Sequence, residues 1–241
     1  MRLASESVPG RRPYNEDSLL VHTLPDGRVL VAVADGMGGH AAGGVASALA
    51  LEVLREAVID GADLATGCVL ANGRVYAQAS AEPDKLGMGT TLVTMLADGH
   101  EFVIANVGDS RAYRIDSDGV HRLTEDHSYV AEAIRGGQSE EEARRSPWRN
   151  ALTRAIGSGL DVKVDVFGPF PLEGDLVVLL CSDGLFKALS DGEIRQLFAA
   201  SADAGDAARA LVAAAYEAGS DDNITVVVAE HGQVPRDRAA D

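Results

Sequence analysis

The sequence predicts one α+β domain built in layers, on three observations. Three short apolar runs, residues 29–34, 176–181 and 224–229, are rich in Val, Ala and Leu and flanked by Gly or Asp, as strands buried on both faces are. Four longer stretches, residues 44–59, 63–81, 190–200 and 206–218, carry helical patterning. No repeat and no Pro- or Ser-rich linker divides the 241 residues, a length that suits one domain with a sizeable core. Buried strands beside long helices imply helices laid over sheet.

Along the chain, the strand at 29–34 is followed by the helices at 44–59 and 63–81. Strand patterning returns at 91–96, 101–107, 111–115 and near 120–123. Residues 127–160 make a long, polar, helical insert before the next strand at 164–167. Inside it Gly136-Gly137 is a break, and Ser139-Glu140-Glu141-Glu142 reads as a capping box that starts a helix. Long inserts tend to be surface-mounted and functional. The residues after His231 are polar, so the domain is expected over 1–232 with a tail at 233–241.

Composition narrows the function. With 21 Lys and Arg against 37 Asp and Glu, the net charge is −16. That field repels phosphate backbones and anionic lipid, so neither nucleic-acid nor membrane-surface binding is expected. It suits divalent cations, a basic partner, or substrate sites flanked by basic residues. No apolar run approaches the ~18 residues of a spanning helix, and the N-terminus lacks the apolar core of a signal peptide. Of two cysteines, Cys68 and Cys181, the second lies in an apolar run. This argues against a disulfide framework and for a reducing cytoplasm.

The chemistry gathers where acids meet the buried strands. The first run leads into Asp35-Gly36-Met37-Gly38-Gly39-His40, the second into Ser182-Asp183-Gly184, and the third follows Asp221-Asp222-Asn223. Antiparallel neighbours would bring Asp35, Asp183 and Asp222 to one edge of the sheet. Clustered carboxylates repel one another unless a cation neutralises them, and hard oxygen ligands favour Mg²⁺ or Mn²⁺. Glycine lets the backbone approach closely, so the Gly36 carbonyl is a further candidate ligand. A single Asp-Gly is commonly just a turn signal; three aspartates on three apolar strands ask that coincidence to act three times. Near the N-terminus, Gly10-Arg11-Arg12-Pro13-Tyr14-Asn15-Glu16-Asp17 adds guanidinium forks suited to phosphate oxygens and two more carboxylates.

In order along the chain stand Arg12-x-x-Asn15-Glu16-Asp17, Asp35-Gly36-Met37-Gly38-Gly39-His40, Gly87-Met88-Gly89-Thr90-Thr91, Gly108-Asp109-Ser110-Arg111, Leu123-Thr124-Glu125-Asp126-His127-Ser128, Ser182-Asp183-Gly184 and Asp222-Asn223-Ile224-Thr225. This set resembles the metal-dependent serine/threonine protein phosphatases of type 2C (the PPM family) in their compact bacterial form, over residues 5 to 230. The resemblance implies a four-layer αββα sandwich, two antiparallel β-sheets flanked by helices, with residues 127–160 as a flap governing substrate choice. It implies two core Mn²⁺ or Mg²⁺ ions, with Asp35 bridging, the Gly36 carbonyl on one ion, Asp183 and Asp222 completing the other, and Glu16 and Asp17 acting directly or through water. Asp126 matches an aspartate that helps hold a third ion. Arg12, with Arg11 as the alternative, matches the arginine that grips the substrate phosphate.

The implied activity is hydrolysis of phosphoserine and phosphothreonine in proteins, by a hydroxide shared between two ions attacking phosphorus in line. Arg12, Asp35, Asp183 and Asp222 carry it. The implied partners are a Ser/Thr kinase and its phosphorylated targets, and the implied form is a monomer in the cytoplasm. Met37 stands where many eukaryotic relatives carry a histidine that serves as general acid, so a metal-bound water is the expected donor, with His40 the nearest protein alternative. His127 is expected to orient Asp126, and Trp148 to anchor the flap. Two other readings are a non-catalytic signalling module of the same fold and a phosphatase of a sigma-factor regulator.

Overall fold

A computed structural model of the chain describes residues 1–38 and 42–232, so His40 and the tail at 233–241 lie outside the described residues. The elements run β1 (Arg2–Val8), β2 (Asp17–Thr23), β3 (Val29–Met37), α1 (Ala42–Ile59), α2 (Leu64–Ala81), a single 3₁₀ turn (Pro83–Lys85), β4 (Gly89–Thr90), β5 (Leu92–Ala97), β6 (Glu101–Val107), β7 (Arg111–Asp116) and β8 (Gly119–Arg122). Then come α3 (Tyr129–Arg135), α4 (Glu140–Arg145), β9 (Asp165–Pro171), β10 (Leu176–Cys181), α5 (Asp183–Phe186), α6 (Asp191–Ala200), α7 (Ala204–Glu217) and β11 (Ile224–His231).

Two antiparallel sheets stack face to face. Sheet one has the order β1-β11-β10-β7-β8; sheet two has the order β2-β3-β5-β6-β9, with β4 paired to β3. The apolar runs show why four layers form. Along β3, Val31 and Val33 enter the core between the sheets, while Leu30, Ala32 and Ala34 face α1 and α2. Along β10, Leu176, Val178 and Leu180 face the other sheet, while Val177, Leu179 and Cys181 pack under α6 and α7. Both faces of each strand are dry, so the two-residue period of a strand disappears into a continuous apolar run. Fully burying one such Val or Leu contributes about 1.5–3 kcal/mol, which makes this alternation the main determinant of the architecture.

Local signals agree with the layers. Asp63 caps α2 by accepting from the Thr66 N–H, and Ser190 with Glu193 and Ser139 with Glu142 form capping boxes on α6 and α4. β1 and β2 carry no apolar run; each is one edge of its sheet, half-exposed, and takes its place by pairing with β11 or β3.

Three expectations need correction. The aspartate-bearing strands do not share one sheet: β3 belongs to sheet two, β10 and β11 to sheet one. The insert at 127–160 is helical only at α3 and α4 and otherwise runs through turns. Its base is stitched down, with Tyr129 N–H donating to the Ala151 carbonyl at 2.8 Å and Thr153 N–H to the His127 carbonyl at 2.9 Å. Asn72 of α2 holds the far end, accepting from the Gly157 N–H at 2.8 Å and donating to the Gly159 and Leu160 carbonyls. Trp148, in contrast, is 67% exposed, so burial of its ring anchors nothing.

Candidate active site

The site lies where the ends of both sheets meet. Asp17 opens β2 and stands opposite Asp35 near the end of β3. Asp183 begins α5 directly after β10, and Asp222 precedes β11. The Ser182 N–H bonds to the Thr225 carbonyl at 3.0 Å, closing β10 against β11 and bringing Asp183 beside the Asp222 loop. Ser182 Oγ donates to Asp17 Oδ2 at 2.7 Å and so ties the two sheets together at the acids.

Neighbouring backbone and hydroxyl groups hold these carboxylates in place. The Asp35 N–H donates to Thr91 Oγ1, and the Asp35 carbonyl accepts from Thr90 Oγ1 and the Thr91 N–H, each at 2.9 Å. At Gly36 a side chain has no room, because a Cβ would lie 2.2 Å from the Gly43 carbonyl oxygen. Asn223 donates to the Pro9 and Tyr14 carbonyls at 2.9 Å and accepts from the Glu16 N–H at 2.8 Å. That clamps the 9–16 loop onto the Asp222 turn. Gly10 makes the loop possible, with φ of +60° and a backbone too close to the Asp222 carbonyl for any Cβ.

Within this frame Arg12, not Arg11, faces the acids. Its Nε donates to the Asp221 carbonyl at 2.9 Å and its Nη2 to Asp222 Oδ2 at 2.9 Å. The Arg11 guanidinium lies toward Gly219. Glu16 and Asp17 also separate. The Asp17 side chain points into the acid cluster, whereas Glu16 Oε1 accepts from the Gly43 N–H at 3.2 Å, at the start of α1.

The electrostatics follow from burial among like charges. Burial pushes Asp17 up to about 7, with Asp183 and Asp222 adding to it against the hydrogen bonds from Thr225 and Ser182. Asp35 is raised well above the usual carboxylate range by burial and then by Asp17, Asp183, Asp109 and Asp222. Asp17 Oδ1 and Asp183 Oδ1 are buried without a hydrogen-bond partner among the described residues. Such atoms are costly unless something outside the chain satisfies them. Among the described residues no three ligating side chains close into a ready-made cage. Asp183 is drawn to the Lys187 ammonium and Asp222 to Arg12.

Two residues join this cluster that the sequence reading gave no role. Asp109 is pushed up to about 7 by burial and then by Asp183. Lys187, four residues after Asp183 on the same turn, pairs with it; burial works against the ammonium, but Asp183, Asp109 and Asp222 outweigh it and raise its pKa. The i, i+4 spacing of Asp183 and Lys187 was the available signal.

Asp126 is placed elsewhere. Both its oxygens accept from Arg111, Oδ1 at 3.0 Å from Nε and Oδ2 at 2.7 Å from Nη2, and Arg111 in turn lies 3.6 Å above the Phe186 ring. A carboxylate held by a bidentate guanidinium is engaged as that group's counter-ion. His127 does not orient it. His127 Nδ1 accepts from the Gly108 N–H at 3.0 Å and Nε2 donates to Asp165 at 3.0 Å, so the ring braces the loop before Asp109. Cys181 is fully buried, and burial pushes its thiol up, away from nucleophilic use.

A two-sheet sandwich with a basin of buried carboxylates and a guanidinium at its rim defines a cation-assisted site for an anionic substrate. The family model described as protein phosphatase 2C matches residues 11–216. The serine/threonine phosphatase stp of Listeria innocua is 38% identical over 240 residues, 95% of each chain. The PPM Ser-Thr phosphatase MsPP of Mycobacterium smegmatis, solved in complex with cacodylate, matches with a TM-score of 0.83 at 36% identity, covering 96% of this chain and 99% of that one. The catalytic domain of the serine threonine protein phosphatase PstP, solved in complex with two manganese ions, matches at 0.77 and 32% identity, covering 95% and 97%. The chain belongs to the protein phosphatase 2C family and is a protein serine/threonine phosphatase.

Proposed function

We propose that residues 1–232 form one phosphatase domain that hydrolyses phosphoserine and phosphothreonine in proteins with divalent metal ions held by Asp17, Asp35, the Gly36 carbonyl, Asp183 and Asp222. Glu16, whose carboxylate accepts from the Gly43 N–H at the start of α1, serves that cluster directly or through water. The observation that carries the reading is the Asp17–Asp35 pair in register, with Asp17 Oδ1 and Asp183 Oδ1 buried and unpartnered among the described residues, a donor set of hard anionic oxygens. Bound Mn²⁺ or Mg²⁺ supplies positive charge, an activated water and Lewis acidity toward phosphoryl oxygens. The manganese-bound PstP structure supports two such ions. Asp109, beside Asp183, is the candidate for any further one, in place of Asp126.

The chain's own groups bind and orient. The Arg12 fork, now resting on Asp222, is positioned to exchange that carboxylate for phosphoryl oxygens. Met37, paired with Gly89 beside the site, has no proton to give, so the leaving serine or threonine oxygen takes its proton from water. The phosphoprotein substrates include those of an opposing Ser/Thr kinase, and the enzyme acts as a cytoplasmic monomer. Among the described residues no helix is long and apolar enough to cross a membrane.

The test is hydrolysis of p-nitrophenyl phosphate and of a phosphothreonine peptide with Mn²⁺, with Mg²⁺ and with EDTA, beside Asp183→Ala. Turnover that requires metal and disappears in the variant is expected. Full turnover in EDTA, or in the variant, would overturn the assignment.

A further inference from the structure

Beside the carboxylate basin opens a cleft of about 690 Å³, between α3 and α4 of the insert and the β7–β8 edge of sheet one. Asp109 and Lys187 line both the basin and the cleft, so the two are continuous. Its charge runs against that of the chain. Six cations face it, Arg111, Arg122, Arg135, Arg144, Arg149 and Lys187, against four acids, in a protein of net charge −16.

The cations differ in how firmly they are engaged. Arg111 is committed to Asp126, and Lys187 to Asp183. Arg122 has only a 3.5 Å approach to Asp126 Oδ2, an oxygen that already accepts from Arg111. Arg135 with Glu125 and Arg144 with Glu140 are solvent-exposed pairs, which contribute little and exchange readily. Arg149 is exposed and has no ion pair among the described residues. Arg122, Arg135 and Arg144, each loosely engaged, and the unpaired Arg149 thus line one cleft next to the site where a phosphoresidue is hydrolysed.

We propose that this cleft binds an anionic flank of the phosphoprotein substrate: carboxylate side chains, or a second phosphate, a few residues from the phosphoresidue. The proposal rests on the phosphatase reading and specifies its substrate class. The arginine fork matches carboxylate and phosphate alike. An extended peptide advances ~3.3 Å per residue, so neighbours of the phosphoresidue leave the basin through the cleft that adjoins it. The whole-chain charge favours basic flanks instead, but surface fields are screened beyond about 8–10 Å at physiological salt, so the lining of the cleft decides.

The test compares kcat/KM, in Mn²⁺ and at physiological salt, for phosphothreonine peptides of one sequence whose flanking positions are all Glu, all Lys, all Ala, or Ala with one phosphoserine. Hydrolysis of p-nitrophenyl phosphate, which has no flanks, is the reference; its absence would sink the phosphatase reading itself, separately from this proposal. The Glu or phosphoserine peptide is expected to exceed the Lys peptide by about tenfold or more, falling toward parity at ~1 M salt, where the Debye length is about 3 Å. Which of the two gains more identifies the source of the anion. In Arg144→Glu/Arg149→Glu, and in the milder Arg149→Gln, that ratio should shrink when each rate is divided by the same enzyme's p-nitrophenyl phosphate rate. An unphosphorylated Glu-flanked peptide should compete with the phosphopeptide but not with p-nitrophenyl phosphate. Equal rates on the Glu, Lys and phosphoserine peptides, a preference for Lys, or a ratio unchanged in the variants would overturn the proposal.

Discussion

Asp17 and Asp35 face each other directly across the β2–β3 pair, and Ser182 Oγ reaches Asp17 Oδ2 from the opposite sheet at 2.7 Å. Two carboxylates in register, on a seam between sheets, are costly to ionise together until a cation arrives.

Removal of metal should therefore leave a pH signature. A carboxyl whose folded pKa is raised from 3.8 to about 7, as burial raises Asp17, favours the fold while protonated; that contribution is full below 3.8 and lost as pH rises through 7. In EDTA, wild-type melting temperature should fall across that window relative to Asp17→Asn, whose profile should be flatter and higher at alkaline pH. Mn²⁺ should stabilise wild type more at the alkaline end, where ligands are deprotonated, and the variant much less. The opposing shift of His127 is common to both chains and cancels in the difference. Superimposable thermal profiles would contradict this.

Arg12 and Arg11 should separate cleanly. Because only Arg12 reaches Asp222, Arg12→Ala should lower phosphopeptide kcat/KM by roughly 10- to 100-fold, the 1.5–3 kcal/mol of charged hydrogen bonds, while Arg11→Ala stays within about twofold. Arg12→Lys keeps the charge but not the fork and should recover only part of the loss. Steady-state kinetics decide it, and a larger effect at Arg11 would reverse the assignment.

Asp109 and Asp126 flank the β7–β8 hairpin but should behave oppositely. Asp126→Asn breaks a half-buried ion pair with Arg111 and should cost about 2–4 kcal/mol of stability with Mn²⁺ affinity kept. Asp109→Asn removes a carboxylate that burial and Asp183 hold up at about 7, so stability should hold while metal binding weakens. Denaturant titration and calorimetric Mn²⁺ titration read the two effects separately. Loss of metal affinity in Asp126→Asn at unchanged stability would restore Asp126 to the ligand set.

His127 should control the base of the insert. Its Nδ1 accepts from the Gly108 N–H, and Asp165, gripped by Arg154 at 2.7 and 3.1 Å, accepts from Nε2. Burial lowers its pKa, so its contribution is full above 6.5 and lost as pH falls below it. His127→Ala should cost about 1–3 kcal/mol by leaving a buried N–H unpaired, and should expose residues 127–160 to protease at neutral pH. Wild type should become cleavable there only under acid conditions. Equal protection of both chains would show that the insert is held by its backbone bonds alone.

The sequence by itself determined the layers and their acidic ends. Apolar runs at 29–34, 176–181 and 224–229, short and flanked by Gly or Asp, read as strands covered on both faces, and an aspartate near the end of each marks where that cover stops. Capping residues such as Ser139 and Ser190 announce their helices because the signal is local. The edge strands β1 and β2 are not legible, since half-exposed polar segments become strands only when a partner pairs with them. Tertiary structure alone decided which charged groups meet: Ser182 with Asp17 across 165 residues, Arg12 with Asp222 across 210, and Arg111 with Asp126 rather than Asp126 with the basin. Composition assigns a sign to the whole chain, but charge acts over a few ångströms in salt water, and only folding sets which charges lie that close.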